Sequence, residues 1–99
     1  MIYQQGDVIM ETTNKVVGKP LPHLTLATGE ATGHAHTVTT GDAELYCDEA
    51  GNITLGVKSA SAVVTHQEHG TVTLPRGKYK IRKVVEYDHF AEEAREVRD

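Results

Sequence analysis

Hydrophobic and polar residues alternate along most of the chain in short runs, each ending at a turn signal. The clearest run has Ile53, Leu55 and Val57 separated by Thr54 and Gly56. A side-chain period of two is that of a β-strand with one buried face. Such runs recur about every eight to twelve residues, with turn signals between them. They predict an all-β fold, either a small antiparallel β-sandwich or a barrel.

Turn chemistry divides the chain into its predicted strands. Gly41-Asp42 is a two-residue hairpin signal between two alternating runs. In the segment 74–77 a proline sets φ at the second turn position and a glycine suits the fourth, which predicts a turn. The segment 14–22 is rich in Gly and Pro and is predicted to be a loop or an irregular edge. The remaining predicted strands cover 7–13, 24–28, 34–40, 43–48, 59–65, 71–74 and 78–85.

The pattern changes near the C-terminus. Phe90, Ala94 and Val97 are spaced i, i+4, i+7, and Asp88 precedes them as a candidate N-cap. The sequence therefore predicts an antiparallel β domain over residues 1–87 and a short C-terminal helix or tail over residues 88–99.

The composition predicts one domain with a modest core. The chain has 99 residues, of which 38% are hydrophobic and none is tryptophan, so Val, Ile, Leu and Ala must fill the interior. A core of this size gains stability from a bound metal or from an oligomer interface, and a homo-oligomer is one expectation. The single cysteine, Cys47, excludes an internal disulfide and a thiolate-cluster zinc site.

The chain lacks the signals of export and of membrane insertion. Its first residues form neither a basic region nor an apolar region of a signal peptide. No apolar run approaches the roughly 20 residues that span a bilayer. We therefore expect a soluble, cytoplasmic protein with no membrane partner. The net charge of −4 argues against a general nucleic-acid coat.

Four of the six histidines fall in two short blocks, His34 with His36 and His66 with His69. The first two share one face of a predicted strand, and imidazole is the commonest protein metal ligand. The sequence predicts that the four imidazoles bind a divalent transition metal, with zinc first and iron, nickel or copper as alternatives. Glu68 lies between the second pair and is the candidate catalytic or orienting carboxylate.

The histidine pattern leaves several functions open. Three histidines with an open coordination position would activate a water molecule, as in a metal-dependent hydrolase acting on an ester or a phosphate, whereas four histidines favour a structural role. Acid–base histidines without a metal, or histidines grouped on the surface by chance, fit the same spacing. In an oligomeric structural or accessory protein, they would sit at a subunit interface.

A row of basic residues supports a further alternative. Arg76, Lys78, Lys80 and Arg82 share one face of a predicted strand in an acidic protein. Such a row can bind a small phosphate-containing ligand through charge and hydrogen bonds. It predicts a non-enzymatic binding module for a nucleotide, a nucleic acid or a protein partner, although the net charge disfavours nucleic acid. The competing interpretation is a solvated edge strand that its charges protect from aggregation.

The His-x-His pair bears a distant resemblance to cupins. The first cupin motif would place a glutamate where Thr40 stands. The second would add a histidine after Pro-x-Gly, where Tyr79 and Lys80 stand. The resemblance implies no more than a similar use of a β-barrel mouth.

A closer resemblance covers most of the chain. Several blocks together resemble a family of small bacterial and phage-borne proteins of about this length. The resemblance implies that the blocks act as one unit, and it names no reaction. The blocks are Gln5–Val8, Gly33–His36, His66–Gly70, Leu74–Tyr79 and Arg82–Tyr87.

Overall fold

The computed structural model describes residues 1–28, 33–88 and 93–96, with side chains up to residue 84. All regular structure in this part of the chain is β, which confirms the predicted all-β class. None of it is a helix long and apolar enough to cross a membrane. The strands are β1 (Ile2–Gln5), β2 (Val8–Thr12), β3 (Lys19–Pro20), β4 (Thr25–Thr28), β5 (Ala35–Thr40), β6 (Ala43–Cys47), β7 (Ile53–Thr65), β8 (Val72–Lys83), β9 (Val85–Asp88) and β10 (Glu93–Glu96).

Eight strands form one open antiparallel sheet. The hydrogen-bonded path runs β1-β2-β8-β7-β5-β4, while β6 pairs with β7 and β3 pairs with β6. β9 and β10 form a separate antiparallel ladder. The hairpin predicted at Gly41-Asp42 is wrong, because β5 and β6 do not pair with each other. They follow one another in the same direction along β7, which pairs antiparallel with both.

The two long strands, β7 and β8, organise the sheet. β6 pairs with the first part of β7 and β5 with its last part. The pairing of β7 with β8 shifts register between Val57 and Ser61, and such irregularities bend a strand and increase its twist. Side chains from six strands therefore meet in one hydrophobic core. Its buried members are Val8, Met10, Leu26, Val38, Leu45, Leu55, Val57, Ala62, Val64, Leu74 and Tyr79.

The turn predicted at 74–77 is wrong. These residues lie inside β8, where Pro75 is opposite Ser61 and Gly77 is opposite Val57. Both residues stand where β7 shifts register, a position at which a strand tolerates a proline. The Tyr79 hydroxyl donates a hydrogen bond of 2.6 Å to the Pro75 carbonyl. Pairing with β7 thus overrides the local turn signal.

The helix predicted within 88–99 is not found in the described residues. Asp88 ends β9, and Glu93–Glu96 pairs with it as β10, with Glu93 opposite Asp88. Residues 89–92 and 97–99 lie outside the described residues. A helix of this length is marginal by itself, and strand pairing satisfies the backbone groups of 93–96 instead.

A hydrogen-bonded turn joins β6 to β7. The Asp48 carboxylate accepts hydrogen bonds from the backbone N–H groups of Ala50 and Asn52 and from the Asn52 side chain. The Asn52 amide and these backbone donors hold the pKa of Asp48 below its usual value. The turn sets the register that places Leu45 opposite Leu55 in the core.

Candidate functional site

The register of β5 against β7 brings the two histidine blocks together. Thr37 pairs with Thr65 in this antiparallel ladder, so His36 and His66 are the next residues to face each other. Their ring centroids lie 4.3 Å apart. β7 ends at Thr65, and the turn into β8 then carries His69 back over the same region.

The four imidazole rings neighbour one another. The His66 centroid lies 5.5 Å from that of His34 and 4.6 Å from that of His69. The rings of His36 and His69 are stacked, with centroids 6.1 Å apart and planes within 10° of parallel. Among the described residues, no three His, Cys, Asp or Glu side chains form a group arranged to hold a metal ion. Metal ligation by these residues stays a prediction.

His36 is the most deeply buried of the four. Its side chain is 1% exposed, and its Nδ1 lies 2.9 Å from Gln5 Oε1. The Gln5 amide nitrogen donates to the backbone carbonyls of Val64 and Gly70, at 3.0 and 2.9 Å. Gln5 Oε1 is therefore the acceptor, and His36 Nδ1 is the donor to it. The other ring nitrogen, Nε2, lies 3.3 Å from Asp7 Oδ1.

Gln5 and Asp7 are site residues that the sequence-based search for chemistry did not select. Both are buried, at 2% and 5% exposure, and they flank Gly6 in the turn between β1 and β2. The sequence did contain a signal for Gln5 and Asp7, because both belong to the first block, Gln5–Val8, of the family resemblance. Polar residues beside a turn glycine are usually solvated, so only the tertiary structure distinguishes them.

The turn after β7 has its own hydrogen bonds. His66 Nδ1 accepts from the backbone N–H groups of Glu68 and His69, at 3.0 and 3.3 Å. Because Nδ1 accepts these bonds, the neutral His66 ring carries its proton on Nε2, which is then a hydrogen-bond donor. The Gln67 side chain accepts from the Ala35 N–H at 2.9 Å and ties the turn to β5.

The predicted catalytic carboxylate lies at the exposed border of the site. Glu68 Oε1 is 3.6 Å from His34 Nδ1, and the two side chains are 55% and 25% exposed. His66 also borders an open cleft of about 380 Å³. The cleft is lined by Ala35, Thr37, Thr39, Thr65, His66 and Gln67. Glu68 is thus placed beside the imidazoles and within reach of solvent.

Comparison with known proteins identifies the family of the chain. The model of a domain of unknown function, DUF8820, matches residues 4–84. The chain belongs to the DUF8820 family. This match confirms the expectation of a family with no assigned reaction, and it covers Gln5, Asp7 and the four histidines. No curated protein and no solved structure matches the chain.

The DUF8820 domain presents its basic row on an exposed surface. Arg76, Lys78, Lys80 and Arg82 are all exposed on β8. β2 pairs with β8 over 79–83 and β7 pairs along its other side, so the interpretation as edge-strand protection is wrong for Lys80 and Arg82. An Arg82 nitrogen lies 3.4 Å from Glu11 Oε1, which offsets part of the charge. Binding of a phosphate-containing ligand by this row stays a prediction.

Replacing Gly6 with alanine is expected to destabilise the DUF8820 domain by about 1–3 kcal/mol. Gly6 has φ of +56°, and a Cβ there would lie 2.5 Å from His69 Nε2, so the variant strains both the turn and the imidazole. Urea unfolding measures the change. Gly70→Ala is the matched control, because its Cβ would meet no atom within 4 Å. Equal destabilisation by both variants would contradict the predicted contact.

Proposed function

We propose that this DUF8820 domain binds a divalent transition metal at the site formed by His34, His36, His66 and His69. The observation that carries the proposal is the way His36 is held. Its ring is buried, its Nδ1–H is bound by Gln5, and Gln5 is in turn fixed by two backbone carbonyls. Metal-ligating histidines characteristically donate their second ring N–H to such an acceptor, which sets the tautomer and the direction of the other nitrogen.

The remaining imidazoles support the proposal through their placement. His66 and His69 follow the end of β7 and belong to a turn, not to a paired strand. Their rings can rotate about side-chain torsions toward an ion, whereas His36 stays in place as the anchor. Such a rotation would convert the stacked rings into a converging set of nitrogen donors.

The proposed chemistry follows from the number of ligands. Zinc is the first expectation and iron, nickel or copper the alternatives, because all four accept imidazole. A zinc ion with an open coordination position activates a bound water near neutral pH, so hydrolysis of an ester or phosphate is the activity to test. Glu68 would accept the proton from that water, and the threonine-lined cleft beside His66 would receive the substrate.

Metal analysis of tag-free protein tests the proposal. We expect the wild-type domain, purified from metal-replete cells, to hold about one equivalent of a transition metal. His69→Gln should weaken binding at least about tenfold, since it removes one candidate nitrogen ligand. Isothermal titration with Zn²⁺ measures the affinity.

His23→Gln is the control for this experiment. His23 is exposed, and its Nδ1 accepts only the nearby Thr25 N–H at 3.2 Å among the hydrogen bonds of the described residues. Its replacement should leave zinc affinity unchanged. A wild-type domain that takes up no more metal than His69→Gln under replete conditions would refute the proposed function.

A further inference from the structure

Asp7 is a buried carboxylate placed beside His36. Its side chain is 4% exposed, in the two-residue turn between β1 and β2. Its backbone carbonyl accepts the Val84 N–H at 2.8 Å, which anchors the turn. Oδ1 accepts no well-directed hydrogen bond from the described residues, although His36 Nε2 lies 3.3 Å away. Burial of a carboxylate oxygen is costly unless a hydrogen-bond donor or a cation compensates it.

His69 presents a second buried atom to the same turn. Its Nε2 has no hydrogen-bond partner among the described residues. This atom lies against the backbone of Gly6, where a Cβ would approach it to 2.5 Å. Because Gly6 directly precedes Asp7, the imidazole of His69 and the carboxylate of Asp7 both adjoin one short turn.

We propose that Asp7 supplies an oxygen ligand to the metal, together with His36 Nε2 and with His69 Nε2 once the His69 ring has turned toward them. This inference rests on the proposed metal-binding function and specifies its ligands. Zinc–nitrogen and zinc–oxygen bonds are about 2.0–2.2 Å long, so adjacent ligand atoms around one ion stand roughly 3.0–3.5 Å apart. The 3.3 Å between His36 Nε2 and Asp7 Oδ1 fits that spacing.

The proposed ligand set changes the expected metal chemistry. Two histidines and one carboxylate leave coordination positions open, as in non-haem iron(II) centres and zinc hydrolases. His34, His66 and Glu68 then border the open side instead of closing the coordination shell. The site would accept a water or substrate oxygen there, next to the threonine-lined cleft.

Cobalt titration of two carboxylate variants tests the role of Asp7. The full-length wild-type chain is titrated with Co²⁺ and followed by its visible absorption. Asp7→Asn keeps the shape of the side chain and should weaken binding at least about tenfold and alter the spectrum. Asp42→Asn replaces an exposed carboxylate and should match the wild type. Wild-type affinity and spectrum in Asp7→Asn would overturn the inference while metal binding itself stands.

X-ray absorption on the zinc-loaded wild type provides a measurement that needs no variant, in case Asp7→Asn fails to fold. The outer-shell scattering of imidazole counts the histidine ligands, and we expect two per zinc. Three or four imidazoles per zinc would overturn the proposed ligand set. A wild type that binds neither Co²⁺ nor Zn²⁺ would overturn the proposed function as well, with the Asp7–His36 contact left as a structural ion pair.

Discussion

Replacing Leu55 with alanine is expected to lower the free energy of unfolding by about 2–5 kcal/mol. Leu55 is fully buried, and it stands opposite Leu45 on β6 and Tyr79 on β8. The substitution would open a cavity where three strands meet, and surrounding side chains held by paired backbones can only partly fill it. Urea unfolding followed by far-ultraviolet circular dichroism measures the loss.

Ile2→Ala is the matched control for the Leu55 variant. Ile2 also lies on a strand but is 57% exposed, so its truncation should change the stability by no more than about 0.5 kcal/mol. If the two variants lost equal stability, the buried face assigned to β7 would be wrong.

Gln5→Ala is expected to cost on the order of 3 kcal/mol. The variant removes the acceptor of the His36 Nδ1–H and the donor to the carbonyls of Val64 and Gly70. Several buried polar groups would then lack partners, and His36 would lose the contact that orients its ring. Zinc affinity should fall by about 10–100-fold together with the stability, as isothermal titration and urea unfolding would measure.

Gln4→Ala separates this effect from a general weakening of β1. Gln4 is the adjacent residue and is exposed, and its side-chain amide donates to the Gly6 carbonyl at 2.9 Å. Its removal should cost no more than about 1 kcal/mol. A Gln5 variant that behaved like the Gln4 variant in both assays would show that the buried amide does not position His36.

The sequence by itself determined the fold class and most of the strands. Alternation such as that of Ile53, Leu55 and Val57 reports a local property, the face that each side chain presents, and needs no knowledge of the partner strand. The turn signal at Gly41-Asp42 is likewise local, and it separates β5 from β6, although the two strands do not form the predicted hairpin. The sequence also singled out the two histidine blocks by their residue type, and the structure brings their rings together.

Only the tertiary structure decided how distant segments meet. β7 and β8 pair with each other on both sides of a register shift, so segments predicted as separate strands form two long ones. Pro75 and Gly77 therefore lie inside β8. Pairing with a long partner strand outweighs their local preference for a turn. The local apolar spacing at the C-terminus likewise did not anticipate the pairing of β10 with β9.

The site depended on tertiary structure in the same way. Gln5 and Asp7 lie roughly 30 residues before His36 in the sequence, and no local pattern shows that they contact it. Their roles follow from burial and from hydrogen bonds across three elements: the β1–β2 turn, β5 and the turn after β7. The sequence alone identified the imidazoles through their residue type. Strand register, a non-local property, brought the Gln5 amide and the Asp7 carboxylate into contact with His36.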